Sequence, residues 1–271
     1  MQIILMDLRK DMEYTLVQPP EVLKLAGHPV RWNVLTSLAR SDYRVQDLVE
    51  QLSLPQNLVS YHLRQLREGR LVTERRSGAD ERAVFYHLDL ERFQALYLAA
   101  GETLHPAVTA ALPAPRAQDL RRNQTPLRVL FLCTENSARS QMAEALLRHL
   151  SHGTVEAFSA GSQLAEELHP LARRCMERLG IDMSRAVPKH FEVYRGQRFD
   201  VIVTVCDRVL ETCPTFPDDP ERIHWSFLDP AMVQGSEAER LRAFEQISLQ
   251  LTTRIRFLLT LLERKHSPRE S

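Results

Sequence analysis

The pattern of apolar positions changes character along the chain, and the changes divide it. Near the start the spacing is helical. Val30, Val34, Leu35 and Leu38 fall on one face, and Val45, Leu48, Val49 and Leu52 repeat the i, i+3, i+4, i+7 pattern. Ser53, Leu54 and Pro55 interrupt it, with Pro55 suited to a first helical turn. Val59, Leu63 and Leu66 then mark the buried face of another helix, which ends near Gly69. Residues Val72–Arg76 and Arg82–Leu88 read as two strands, and Ser77, Gly78, Ala79 and Asp80 supply turn residues between them. A last helical stripe runs through Phe93, Leu96, Tyr97, Ala100 and Leu104.

Residues 105–126 lack sustained periodicity. Their Pro and Ala content predicts a semi-extended connector, with room for one helical turn around Ala117–Arg122. Beyond it, strand-like runs recur at Val129–Leu132, Val155–Phe158, Val201–Val205 and Ile223–Ser226. Helical patterns lie at Ala138–Leu150 and Pro170–Leu179. A long one over Glu237–Glu263 puts Leu241, Phe244, Ile247, Leu251, Ile255, Leu258 and Leu262 on one face. Alternating strands and helices predict a four-stranded parallel sheet wound on both sides, with ligand sites beyond the carboxyl ends of its strands. The expected organisation is therefore a mostly α domain over 1–104, a linker over 105–126 and an α/β domain over 127–271.

Composition narrows the function classes. The 271 residues carry 35 Lys+Arg against 35 Asp+Glu, so any nucleic-acid contact must come from a local basic patch. No apolar run approaches membrane-spanning length, and the apolar start at Met1–Met6 is too short for a signal segment. A cytoplasmic protein without membrane contact is expected. Its four cysteines, Cys133, Cys175, Cys206 and Cys213, all lie in the second half. In a reducing compartment such thiols point to catalysis or redox exchange rather than structural disulfides. No Cys/His cluster has zinc spacing, so neither a metal nor a bound cofactor is expected.

The chemistry concentrates at Cys133–Ser140. A thiol at a strand end and the guanidinium of Arg139 flank the short loop Thr134, Glu135, Asn136, Ser137 and Ala138, just before a helix. Loop amides, the helix N-terminus and the Arg139 fork suit a tetrahedral oxyanion. The same positive field is expected to depress the Cys133 pKa and make a nucleophilic thiolate, with Ser140 adding a hydroxyl donor. Cys206 and Cys213 form a second constellation beginning at the end of the third strand. Asp229, followed by Pro230, stands past the last strand, where it suits a general acid. Cys175 falls within a helical pattern and is expected to pack. In the first half, the predicted second helix of a helix-turn-helix exposes Gln56, Asn57, Ser60, Tyr61, Arg64 and Arg67, with His62 nearby. Such a polar face is either solvated or used to read bases. A hairpin directly after it, with Arg75, Arg76 and Arg82 near its tip, favours a DNA-reading wing.

Residues 19–90 resemble the winged helix-turn-helix of the ArsR family of repressors, most closely at His28–Arg31, Ser60–Leu66 and Gly69–Val72. The resemblance implies operator binding and a homodimer, for which the Phe93–Leu104 stripe is a candidate helix. Direct thiol sensing by residues 1–104 is excluded, because that segment has no cysteine. About 135 residues of the second half resemble the low-molecular-weight tyrosine phosphatase fold, in its thioredoxin-linked arsenate reductase branch. The resemblance carries over Cys133 and Arg139 of the anion loop, Ser140–Glu144 after it, Cys206 and Cys213 as the redox pair, and Asp229 as the acid. It implies arsenate as substrate, arsenite as product and thioredoxin as electron donor. Two positions depart from that pattern. Glu135 stands where such loops commonly have Gly, and Ala138 where a non-essential Cys often occurs. Two other readings use the same residues: a tyrosine phosphatase fused to a repressor, which needs Cys133, Arg139 and Asp229 only, and a repressor whose second half senses oxyanions or redox state without turnover.

Overall fold

The computed structural model describes residues 18–80, 82–105, 126–210 and 214–266. Most of the connector, including the helical turn expected around Ala117–Arg122, and Cys213 lie outside them. The first half contains α1 (Glu21–Ala26), α2 (Pro29–Leu38), α3 (Val45–Leu52), α4 (Gln56–Glu68), strands β1 (Val72–Arg76) and β2 (Val84–Leu88), and α5 (Leu90–Leu104). The apolar faces read from the sequence close on one another. Val34, Leu35, Leu38, Leu48, Val59, Leu63 and Leu66 form one core with Val22, Leu25 and Leu71. Left-handed Ser53 (φ 52°) turns the chain from α3 into α4, and Pro55 is the residue that caps α4. The hairpin is antiparallel, with Arg76 opposite Val84.

The second half contains β3 (Leu127–Cys133), α6 (Arg139–Leu150), β4 (Val155–Gly161), α7 (Pro170–Arg178), β5 (Val201–Thr204), α8 (Asp207–Leu210), β6 (Glu221–His224) and α9 (Glu237–His266). The four strands pair in parallel in the order β4-β3-β5-β6. Central β3 explains its own sequence. Val129, Leu130, Phe131 and Leu132 are all fully buried, so both faces of the strand are apolar. The seven apolar residues of the α9 stripe are likewise buried, where the helix lies against α6 and α7. Cys175 is buried in α7 within the same core.

The two halves meet at the outer edge of β6. The turn between α2 and α3 runs beside that edge: Asp42 N donates to His224 O (2.7 Å), and His224 N donates to Ser41 Oγ (2.8 Å). Ser226 N donates to Asp42 Oδ2 (2.6 Å), and Arg254 Nη2 stands 2.8 Å from Asp42 Oδ1. Edge amides that would otherwise pair with another chain are thus satisfied internally. The Asp42 side chain has no exposed surface and that of Arg254 is 13% exposed. Loss of one partner from so buried a pair costs on the order of 3–5 kcal/mol, because the other charge is left unmatched.

Candidate functional site

Cys133 ends β3, and α6 begins at Arg139, so the five residues between them must turn tightly over the sheet. The turn is made by Asn136, which is fully buried with φ 53°. Asparagine tolerates that conformation, and its side chain here also fastens the loop. Nδ2 donates to Ser140 Oγ and Ser159 Oγ, both at 2.9 Å. Oδ1 accepts from Gln141 Nε2 (3.1 Å) and Lys189 N (2.8 Å). Ser159 Oγ in turn donates to Glu144 Oε2 (2.6 Å). The amide of Asn136 points at the thiol, 3.1 Å from Cys133 Sγ, and Ser140 Oγ lies 2.8 Å from the same sulfur.

The loop also leans on the end of β4. A Cβ at Gly161 would stand 2.5 Å from Thr134 O and 3.0 Å from Asn136 N, so only glycine admits the loop there. Sequence reasoning missed both supports. A buried Asn in a polar loop and a Gly closing a strand were the signals available, but the contacts are with distant segments. Glu135 is exposed and accepts from Ser137 Oγ (3.2 Å). It is not among the left-handed residues, so a side chain at that position brings no backbone strain. Ala138 is the residue capping α6, without a side-chain hydrogen bond.

Arg139 and Asp229 come together. Arg139 Nη2 donates to Asp229 Oδ2 (2.6 Å) and Nη1 to Phe227 O (3.0 Å). The other carboxylate oxygen, Oδ1, accepts from Ala231 N (3.1 Å). Cys206, just past β5, is buried at the same end of the sheet, and Thr134 Oγ1 lies 3.4 Å from its sulfur. Five expected participants, Cys133, Arg139, Ser140, Cys206 and Asp229, therefore lie at one end of the sheet, beyond the carboxyl ends of β3, β5 and β6, linked by the Cys133–Ser140, Thr134–Cys206 and Arg139–Asp229 contacts.

One expectation about this site is corrected. The Cys133 thiol is pushed up from its ordinary value by complete burial and by the neighbouring Cys206 thiol. Ser140, Arg139 and the Asn136 amide pull the other way and do not outweigh them. The physical reason is burial, which penalises the charged thiolate more than Arg139, Ser140 and the Asn136 amide favour it. Alkylation of Cys133 by iodoacetamide should therefore keep rising with pH beyond 9.0 as the thiol ionises. A plateau reached below about pH 7.5, where activated thiolates titrate, would show that the loop field prevails instead.

In the first half, Gln56, Asn57, Ser60, Tyr61, Arg64 and Arg67 all lie exposed on α4. Arg64 stacks over the Tyr61 ring at 5.7 Å, and Arg67 pairs with Glu74 of β1 at 2.8 Å. His62 is a correction: it is 3% exposed, with its ring 4.5 Å from that of His28. Positions 59, 62, 63 and 66 share one helical face, so His62 faces the core with Val59, Leu63 and Leu66. Arg76 and Arg82 are exposed at the wing. Arg75 is the second correction. Its side chain is 14% exposed and bound to Asp207 of the other half, so it is not presented to a phosphate. The α5 stripe divides. Phe93, Leu96 and Ala100 pack on their own core, whereas Tyr97 is 57% and Leu104 77% exposed. Among the described residues, no group of three or more His, Cys, Asp or Glu could hold a metal ion, and no helix is long and apolar enough to cross a membrane.

Two families of known proteins match separate stretches of the chain. Residues 28–74 match the bacterial regulatory protein, arsR family. Residues 128–268 match the low molecular weight phosphotyrosine protein phosphatase. Three curated relatives of the second half are arsenate reductases. That of Halalkalibacterium halodurans is 34% identical over 128 residues, 47% of this chain and 91% of the relative. That of Shouchella clausii is 36% identical over the same shares, and that of Brevibacillus brevis is 40% identical over 114 residues, 42% and 84% of the two chains. The phosphatase match spans more than half of the chain, which therefore belongs to the low molecular weight phosphotyrosine protein phosphatase family and carries an arsR-family helix-turn-helix ahead of it.

Proposed function

We propose that this protein reduces arsenate to arsenite and that its arsR-type half is an arsenic-responsive repressor. One observation carries the first part: a second thiol, Cys206, stands beside Thr134 of the anion loop. Hydrolysis of a phosphate ester has no use for that thiol, whereas reduction of As(V) requires two electrons.

The reaction follows from the arrangement. Arsenate is held by loop amides and Arg139, which exchanges Asp229 for the oxyanion. The Cys133 sulfur bonds to arsenic and a water leaves, carrying a proton from Asp229. Arsenic is still pentavalent at this stage. The Cys206 thiolate then attacks the Cys133 sulfur. The S–S bond forms, the S–As bond breaks, and its electron pair goes to arsenic, which departs as arsenite. Cys213 attacks Cys206 and frees Cys133, so that the disulfide becomes Cys206–Cys213. The dithiol of thioredoxin reduces that disulfide and closes the cycle. With thioredoxin, thioredoxin reductase and NADPH, Cys213→Ser should release at most one arsenite per chain, while wild type turns over repeatedly. Sustained turnover by that variant would remove Cys213 from the scheme. Absence of turnover by wild type, with hydrolysis of aryl phosphates, would support the phosphatase reading; neither activity would favour a sensor.

For the DNA-binding half, the exposed polar face of α4 enters the major groove, with Arg76 and Arg82 reaching phosphates. A homodimer forms through α5, using Tyr97 and Leu104. Arg64→Ala should weaken operator binding by about 1–3 kcal/mol in gel shifts, the worth of one arginine contact to a base. Unchanged affinity would move the recognition surface off α4.

A further inference from the structure

The wing of the DNA-binding half reaches into the redox site of the other. Arg75 Nη2 donates to both oxygens of Asp207, at 3.0 and 2.8 Å, and Nε donates to Ser226 O at 3.3 Å. Gly78 N, at the hairpin turn, donates to Asp207 Oδ2 (3.0 Å). The same carboxylate accepts from Ser226 Oγ (2.6 Å) and faces His224 Nε2 at 3.2 Å. His224 is held by Thr204 Oγ1 (2.8 Å) and packs against Phe85 of β2, ring to ring at 4.9 Å. The Asp207 side chain is 4% exposed.

Asp207 is the residue directly after Cys206 and opens the four-residue helix α8. Cys206 therefore sits between two anchors. On one side is Thr134 of the anion loop; on the other is a carboxylate clamped by the wing. Ser226 and His224 belong to the reductase half, but the guanidinium that matches the charge of Asp207 and the Gly78 amide come from the repressor half. A four-residue helix cannot hold its own start firmly, since nearly all of its amides and carbonyls lack intrahelical partners.

We propose that Arg75 is a positioning residue for Cys206, so that the wing is part of the apparatus that brings the second thiol to Cys133. The kinetic consequence rests on the reductase reading above; the anchoring does not, and it is tested without arsenic. The full-length reduced protein is treated with iodoacetamide, and each cysteine is followed by peptide mass spectrometry in wild type, Arg75→Lys and Arg75→Ala. Arg75→Ala should raise the alkylation rate of Cys206 about tenfold, as expected for local release of a buried segment, while Cys133 and Cys175 change by less than about twofold. Arg75→Lys keeps the charge without the fork and should fall between. An unchanged Cys206 rate, or a common rise at all three thiols from general loosening, overturns the proposal. In the same variants, arsenite released in a single turnover without thioredoxin should slow about tenfold, in step with Cys206 exposure. Exposure of Cys206 with an undiminished rate of release also overturns it. If wild type releases no arsenite, the reductase reading fails and the alkylation result alone decides the anchoring.

Discussion

Cys133→Ser is expected to abolish arsenate reduction, by at least about 10⁴-fold in kcat/KM, because no other group on the loop can form the bond to arsenic. Serine is close in size to cysteine, and the Ser140 hydroxyl and Asn136 amide that face the sulfur can face an oxygen, so the variant should fold. The buried oxygen is a far weaker nucleophile, its ordinary pKa lying well above that of a thiol. Oxyanion binding should survive. Inorganic phosphate, titrated calorimetrically into the variant, should bind within about threefold of wild type, since Arg139 and the loop amides remain. Reduction persisting above one hundredth of the wild-type rate would mean that Cys206 can begin the chemistry, and the order of thiols would need to be redrawn.

The second large effect is at Cys206. Cys206→Ser should stop arsenite release, again by about 10³-fold or more, while leaving the first adduct intact. Arsenate would still protect Cys133 from alkylation, because adduct formation uses Cys133, Arg139 and Asp229 only. That separation distinguishes reduction from hydrolysis on one fold. In a phosphatase, the substitution would be silent. Arsenite release by Cys206→Ser near the wild-type rate would leave the second thiol without a role, whatever its distance from Thr134.

Both predictions depend on where strands end. A parallel sheet sends every strand carboxyl end to the same side, so residues dozens apart in sequence meet there. The Arg139–Asp229 pair shows what such convergence does to charge. The Arg139 guanidinium is matched by the Asp229 carboxylate, and burial governs the Cys133 thiol. On the proposed mechanism, an oxyanion arriving at Arg139 would free Asp229 to face the leaving oxygen, so that binding and acid catalysis would be two positions of one ion pair.

The domain contact has its own pH dependence. Burial alone would raise the Asp207 carboxyl, but hydrogen bonds from His224 and Ser226 and the charge of Arg75 outweigh it and hold the group well below its ordinary value. A carboxylate so depressed contributes stability above the ordinary Asp range. That contribution is lost as pH falls through the folded-state value, so acid should loosen the wing from the Cys206–Asp207 segment.

The architecture was legible because its determinants are local. Val129–Leu132 is apolar on both faces, and only a strand buried on both sides needs that. The α9 stripe and the α2–α4 faces repeat at helical spacing, which specifies a buried side whatever lies opposite. The layout of the Cys133–Arg139 loop was legible for the same reason, since strand, Cys-x5-Arg and helix are contiguous. His62 was misplaced although its spacing from Val59 and Leu66 carried the answer. The partners of Arg75 and Asn136 are another matter. A guanidinium near a hairpin tip looks the same whether it will meet a phosphate or a carboxylate, and only the approach of β6 to the wing decided for Asp207. Likewise Gly161, Ser159 and Lys189 come to the loop from β4 and the segment after α7, across distances the chain pattern does not encode. Hydrophobic periodicity determines which side of an element is buried; which polar groups then become neighbours is settled by how the elements pack.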